Sequence, residues 1–295
     1  MQPDWCAGMI DTSTAGNISI GLAGWSYPDW TGYVYPKGLK DYLGFIAPYF
    51  DCIEINSTFY RPPEARLAAG WAKKVEELSG FFFTAKLHQD VTHKGEILPE
   101  MVGAFRDGLG PLSSQGRLRH LLAQFSYAFT DSPANRDHLS RIRDGFSDIA
   151  NLTLELRHAS WQADHAAEFL RSLQASVANL DYPVGSQSYK PWITGIGEHS
   201  YLRLHGRNSE KWFSKGAGRD EVYNYLYGAE EVKQIANRAA EIATMSKSLT
   251  LIANNHYQGK EAVNALQIKA LITGGKVAVP PLLLERYPQL KEIAR

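Results

Sequence analysis

Cysteine is almost absent from this chain: Cys6 and Cys52 are the two thiols in 295 residues. So few, so far apart, they offer neither a metal-binding spacing nor a disulfide framework, and they fit a reducing compartment. Net charge is absent too, with Lys plus Arg at 31 and Asp plus Glu at 31. A protein that coats nucleic acid through bulk positive charge is thereby disfavoured, while a local basic groove stays open. No run approaches the roughly 18 apolar residues of a membrane span, so no membrane partner is expected. Residues 1–17 lack the basic region and apolar core of a signal peptide. They read as a flexible lead-in to a cytoplasmic protein. Low-complexity segments and short repeats are missing as well.

What is present is an alternation of short apolar runs and longer amphipathic stretches. Strands are expected at 18–23, 52–56, 81–87, 121–125, 152–157, 176–181, 201–205 and 249–254. Helices fit between and after them at 39–50, 64–79, 99–109, 133–149, 164–174, 220–246 and 260–273. The gap after 181 has room for a helical turn. Strand–helix alternation implies parallel strands joined by crossovers, and eight such units imply closure. The expected fold is α/β, a single (β/α)8 TIM-type barrel over residues 18–295. An open doubly wound sheet is the alternative, but no Gly-rich dinucleotide fingerprint follows any strand.

Period-two alternation supports the barrel. Leu152, Leu154 and Leu156 share one strand face, and Thr153, Glu155 and Arg157 the other. Leu202 and Leu204 oppose Arg203 and His205; Ile53 and Ile55 oppose Glu54 and Asn56. Phe83, Ala85 and Leu87 oppose Thr84 and Lys86. Leu121, Ala123 and Phe125 oppose Gln124, and Ala178 and Leu180 oppose Asn179 and Asp181. Parallel strands in an open sheet are covered on both faces and should be apolar on both. Here one face turns polar toward the strand's end, as it would facing a barrel axis.

The inferred polar ring contains Glu54, Asn56, Lys86, Gln124, Glu155, Arg157, Asp181, Arg203, His205 and Asn254. Buried charges must be paired or serve a ligand. A self-satisfied ion-pair plug is one reading. A site is the other, because the carboxyl ends of barrel strands carry barrel active sites. Glu54, Glu155, Asp181 and His205 are the candidate catalytic groups. If Glu155 faces a water-filled mouth, Glu155→Gln should leave the fold nearly as stable. Three cations and several amides suit an anion better than a dication, so no metal and no cofactor is expected. Aromatics crowd the loops after the strands: Trp25, Tyr27 and Tyr60, with Trp161 after the fifth strand. They either stack on a ligand's ring or pack the loops down.

These segments resemble the YecE-like family of barrel proteins, a domain of unknown function. The resemblance runs from about Ile18 to Leu271. It is carried by Gly24-Trp25-Ser26-Tyr27, Glu54-Ile55-Asn56-Ser57-Thr58-Phe59-Tyr60-Arg61, Glu155-Leu156-Arg157-His158, Tyr201-Leu202-Arg203-Leu204-His205-Gly206 and Asn254-Asn255-His256. Ala23 stands where the family more often has a small hydroxyl residue, and Ser126-Tyr127 where it has a proline pair. The resemblance implies a TIM-type barrel and no settled reaction. The family's fold is similar to endonuclease IV and sugar-isomerase-like barrels, which use metals; this is analogy at the level of fold.

The leading expectation is a small anionic ligand, phosphate-bearing and sugar- or nucleotide-like, handled by acid–base chemistry of hydrolase or lyase/isomerase type. Lys86, Arg157 and Arg203 would hold it, with Asn56, Gln124, Asn254, Trp25, Tyr27, Tyr60 and Trp161 around it. A metal-dependent phosphodiester hydrolase resembling endonuclease IV is one alternative. A non-catalytic nucleic-acid or protein interaction module is the other.

Overall fold

The computed structural model describes residues 17–295. Cys6 and all of the expected lead-in except Asn17 lie outside the described residues. Nine strands follow one another: β1 (Ile18–Leu22), β2 (Cys52–Ile55), β3 (Phe82–Lys86), β4 (Leu118–Gln124), β5 (Asn151–Glu155), β6 (Ser176–Val177), β7 (Asn179–Asp181), β8 (His199–Leu204) and β9 (Ser248–Ala253). All pair in parallel, in the order β6-β5-β4-β3-β2-β1-β9-β8-β7. The two ends of that order are pieces of one extended stretch. β6 pairs with β5, β7 pairs with β8, and Ala178 between them donates its N–H to Leu154 O at 2.9 Å. The sheet thus curls round to an eight-stave barrel whose sixth stave is 176–181, as the eight apolar runs predict.

The helices are α1 (Tyr42–Ile46), α2 (Ala65–Lys74), α3 (Pro99–Ser113), α4 (Pro133–Phe146), α5 (Asp164–Ser172), α6 (Ser209–Trp212), α7 (Arg219–Val222), α8 (Ala229–Thr244), α9 (Lys260–Thr273) and α10 (Pro281–Arg286). Local chemistry sets several starts. Pro at the first turn opens α3 and α4, where a missing N–H costs nothing, and Ser132 caps α4 by accepting from Asn135 N. The outward strand residues, Ile53, Ile55, Phe83, Ala85, Leu121, Leu154, Leu202 and Leu204, share one apolar layer with the helices. A smaller cluster fills the axis: Ala23, Cys52, Phe82, Ala178, Leu180, Tyr201 and Ile252. Gly21 is needed on β1, because a Cβ there would lie 2.2 Å from Cys52 O. Cys52 is a buried free thiol.

Four differences from expectation matter most for the site and the core. The helix expected over 39–50 is α1 followed by a 3-10 turn, Ala47–Tyr49. The helix expected over 220–246 is broken: α7 ends at Val222 and α8 begins at Ala229. Glu231 accepts the N–H of Gly228 at 2.9 Å and so caps α8 late. No helical turn follows the sixth stave, where 182–198 is irregular. Beyond 273, α10 and a 3-10 turn, Pro288–Glu292, press Leu283 and Leu290 into the core. Among the described residues no helix is long and apolar enough to cross a membrane.

Candidate functional site

Deep in the barrel, β8 projects Tyr201, Arg203 and then His205 toward the axis. Arg203 reaches Glu54 on β2, Nη2 to Oε1 at 2.7 Å, and also donates from Nη1 to Glu155 on β5. The second oxygen of Glu54 accepts from Tyr201 OH at 2.9 Å, and that hydroxyl meets Thr84 Oγ1 at 2.8 Å. Glu155 Oε1 also accepts from Arg157, at 2.9 Å from Nε and 2.6 Å from Nη2. Burial alone would raise the Glu155 carboxyl, but the guanidinium charges of Arg203 and Arg157 more than offset this and hold it well below the usual range. His205 Nε2 lies 3.5 Å from Glu155 Oε1, and its Nδ1 meets Asn254 Nδ2 at 2.9 Å. Burial pushes its imidazole down to about 4, so it is neutral at pH 7. One layer below, His120 bridges Thr153 and Thr250 at 2.9 and 3.3 Å.

Two carboxylates therefore stand against three cations, and both carboxylates are taken. Arg203 and Arg157 occupy them, and Lys86 is left over. Its ammonium sits over Phe59, 4.5 Å from the ring centroid, with no carboxylate within 4 Å among the described residues. Burial and the neighbouring Arg203 charge pull its pKa down to about 8. Lys86 opens into a cavity of about 400 Å³ at the carboxyl ends of the strands. Asn56, Gln124 and Asn254 line it with amides, and Trp25, Tyr27 and Tyr60 with rings. Asn56 is aimed by its bond to Ala23 O at 2.9 Å, while the buried Oε1 of Gln124 has no partner. Tyr27 stacks on His256, centroids 4.6 Å apart at 8°, and Trp30 fixes the His256 carbonyl at 2.8 Å.

Most sequence-predicted residues converge as expected, and two do not. Asp181 points away from the axis. The sixth stave faces the other way round: Ala178 and Leu180 fill the barrel, and Asp181 meets the helix layer. There it accepts from Arg207 at 2.9 and 2.7 Å and from Tyr227 at 2.9 Å, with Arg238 of α8 at 3.9 Å. Alternation separates two faces without saying which is inner; polarity misleads here because arginines meet this carboxylate from outside. Trp161 is the second. It is buried away from the cavity, stacked on Phe129 at 5.7 Å and bonded to its carbonyl at 2.8 Å.

The sequence reading also missed residues. Arg219 and Tyr223 also line the cavity; Tyr223 falls inside the helix expected over 220–246 and Arg219 just before it. The alternation Tyr223, Tyr225, Tyr227 followed by Gly228 breaks helical period and marks the interruption. Asn264 and Asn255 fasten this loop: Asn264 Oδ1 accepts from Tyr227 N at 3.1 Å, and Asn255 Nδ2 donates to Tyr225 O at 2.8 Å. Glu261, at the start of α9, is a buried carboxyl whose oxygens have no partner, and burial pushes it well above the usual range. Among the described residues no group of three His, Cys, Asp or Glu side chains is placed to hold a metal ion.

The family described as "Protein of unknown function DUF72" matches residues 19–286. The chain belongs to this family. The resemblance read from the Glu54–Arg61 string and its companions is thereby borne out. Among curated relatives, UPF0759 protein YunF of Bacillus subtilis is 28% identical over 272 residues, covering 86% of this chain and 94% of that protein. UPF0759 protein YecE of Escherichia coli is 26% identical over 148 residues, half of each chain. A crystal structure of a DUF72 family protein from Thermotoga maritima superposes with a TM-score of 0.76 at 30% identity, over 87% of this chain and 99% of that one. A DUF72 family protein from Enterococcus faecalis gives 0.78 at 25% identity, over 87% and 95%. D-psicose 3-epimerase, 13% identical with a TM-score of 0.50, shares the barrel fold.

Proposed function

We propose that the cavity binds a small anionic ligand, phosphate-bearing and offering a ring or sugar face, and performs acid–base chemistry on it. The observation that carries this reading is Lys86: a half-buried ammonium in a cavity, with every nearby carboxylate already engaged. An uncompensated cation costs folding free energy that an anion would restore. Arg219 brings a further positive charge to the rim, and the amides of Asn56, Gln124 and Asn254 offer neutral donors to phosphate oxygens. Trp25, Tyr27 and Tyr60 supply faces for a ring. Glu54 and Glu155 act as supports of Arg203 rather than as bases, since ion pairs saturate them. Acid–base work then falls to neutral imidazoles and to Lys86 itself. Among the described residues no group of three His, Cys, Asp or Glu side chains is placed to serve a metal-dependent hydrolysis.

The test is a thermal-denaturation panel of phosphate, sulfate, phosphorylated sugars and nucleotides against sodium chloride at matched ionic strength. A ligand that binds the native state raises its melting temperature. Phosphorylated ligands should do so in the wild type and not in Lys86→Met. Stabilisation by single-stranded nucleic acid alone, with a steep salt dependence, would instead favour an interaction module.

A further inference from the structure

We infer that Lys86 is a reactive amine that condenses with the carbonyl group of an aldehyde- or ketone-bearing anionic ligand, forming an imine in this cavity. This rests on the anion-binding reading and names the chemistry of its ligand. Lys86 ends β3 at the cavity floor, where its backbone is fastened by Thr58, whose Oγ1 donates to Lys86 O at 2.6 Å. Its Nζ meets an aromatic face and no carboxylate within 4 Å among the described residues. The charged groups around it are Arg203, Glu54, Glu155 and Arg157, and His93 lies near enough to feel its charge. The two carboxylates are engaged by the two guanidinium groups, and their pull on the ammonium is outweighed by burial and the Arg203 charge. A partly desolvated amine beside other cations is the recognised arrangement for a nucleophilic lysine. With its pKa near 8, much of Lys86 is free amine at mildly alkaline pH, where an exposed lysine is almost wholly protonated.

The step balances without an oxidant or a metal. The Nζ lone pair attacks the carbonyl carbon, and the carbonyl π pair moves to oxygen, which takes a proton. Nζ then gives up its protons as the oxygen leaves as water, and the C=N bond replaces C=O. His256 lines the same cavity, is buried, and has both ring nitrogens without partners; burial holds it down to about 4, so it stays a neutral imidazole able to relay a proton.

Borohydride reduction turns an imine into a stable secondary amine that peptide mass spectrometry locates. Glyceraldehyde 3-phosphate and glyceraldehyde are the probes, each at the same concentration on the wild-type chain. Reduction should mark Lys86 in preference to the exposed Lys73 and Lys215 by about tenfold or more. Excess inorganic phosphate should protect it, and the phosphorylated aldehyde should be the better probe. Lys86→Arg should lose the mark while Lys73 and Lys215 keep their background level. If Lys86 is marked no more than Lys73 or Lys215 while phosphate still stabilises the protein, the imine inference is overturned and the anion reading stands. If Lys86 is marked preferentially but equally by both aldehydes, with no phosphate protection, the amine inference stands and the anion reading falls.

Discussion

Arg203 crosses the barrel from β8 to hold Glu54 on β2 at 2.7 Å while its other nitrogen holds Glu155 on β5. This one guanidinium engages the carboxylates of two staves and leaves Lys86, on β3 between them, without a counter-ion within 4 Å among the described residues. The ring is thus both of the things a charged barrel axis can be. Its lower part is a charge-paired network, and its upper part is an unfinished one that opens into the cavity.

Glu155→Gln should be costly. The expectation of near-normal stability assumed a hydrated mouth, but Glu155 is fully buried between Arg203 and Arg157. Removing its charge leaves both guanidiniums under-compensated, at roughly 3–5 kcal/mol. The pH dependence follows from the depressed carboxyl. Its contribution is fully present above the unfolded value of about 4.5 and is lost as pH falls through the lower folded value. Denaturant melts should therefore show the gap between wild type and Glu155→Gln closing only under strong acid. An equal gap at all acidic pH values would contradict the pairing.

Lys86→Met should stabilise the ligand-free fold by about 1–3 kcal/mol near neutral pH, because it removes a half-buried charge without a partner. The sign reverses the usual lysine case. The folded pKa, about 8, lies below the ordinary 10.5. The penalty is fully present below about 8 and fades as pH rises toward 10.5, where wild type should gain on the variant. A destabilising substitution at neutral pH would mean that Lys86 is paired.

Asp181→Asn separates the outer network from the site. Arg207, Tyr227 and Arg238 would face a neutral amide, and the fold should lose about 2–4 kcal/mol. Binding of inorganic phosphate should change by no more than about twofold, within about 0.4 kcal/mol. A large loss of binding in a variant that still folds would return Asp181 to the site.

Tyr60→Ala tests the aromatic rim. Tyr60 is 60% exposed beside the cavity. Loss of a stacking face should weaken a nucleotide or aryl phosphate by about 1 kcal/mol or more and leave inorganic phosphate unchanged. Equal weakening of both would show that the ring shapes the cavity without stacking on the ligand.

The barrel was legible because eight apolar runs recur between helical stretches, and because Glu54, Lys86, Gln124, Glu155 and Arg203 alternate with residues that meet helices. The inverted sixth stave was not. Asn179 and Asp181 have the same local pattern as Glu155 and Arg157, and the residues that reverse its meaning, Arg207 and Arg238, are 26 and 57 positions beyond Asp181. Trp161 follows the fifth strand in sequence yet folds back onto Phe129, a contact made by another loop. Tyr223 was hidden by reading a long amphipathic stretch through its break, and Arg219 stands just before that stretch. The ring's membership could be read from period two; which cation would be left unpaired required knowing that Arg203 spans two staves.

The central claim is that Lys86 gives this cavity an unmet positive charge that an anion fills. Isothermal titration of inorganic phosphate and glyceraldehyde 3-phosphate at matched ionic strength, into wild type, Lys86→Met and Lys86→Arg, tests it most directly. The account predicts one site per chain in the wild type and in Lys86→Arg, and no measurable binding in Lys86→Met. Binding of equal strength in Lys86→Met, or none in the wild type, would contradict it.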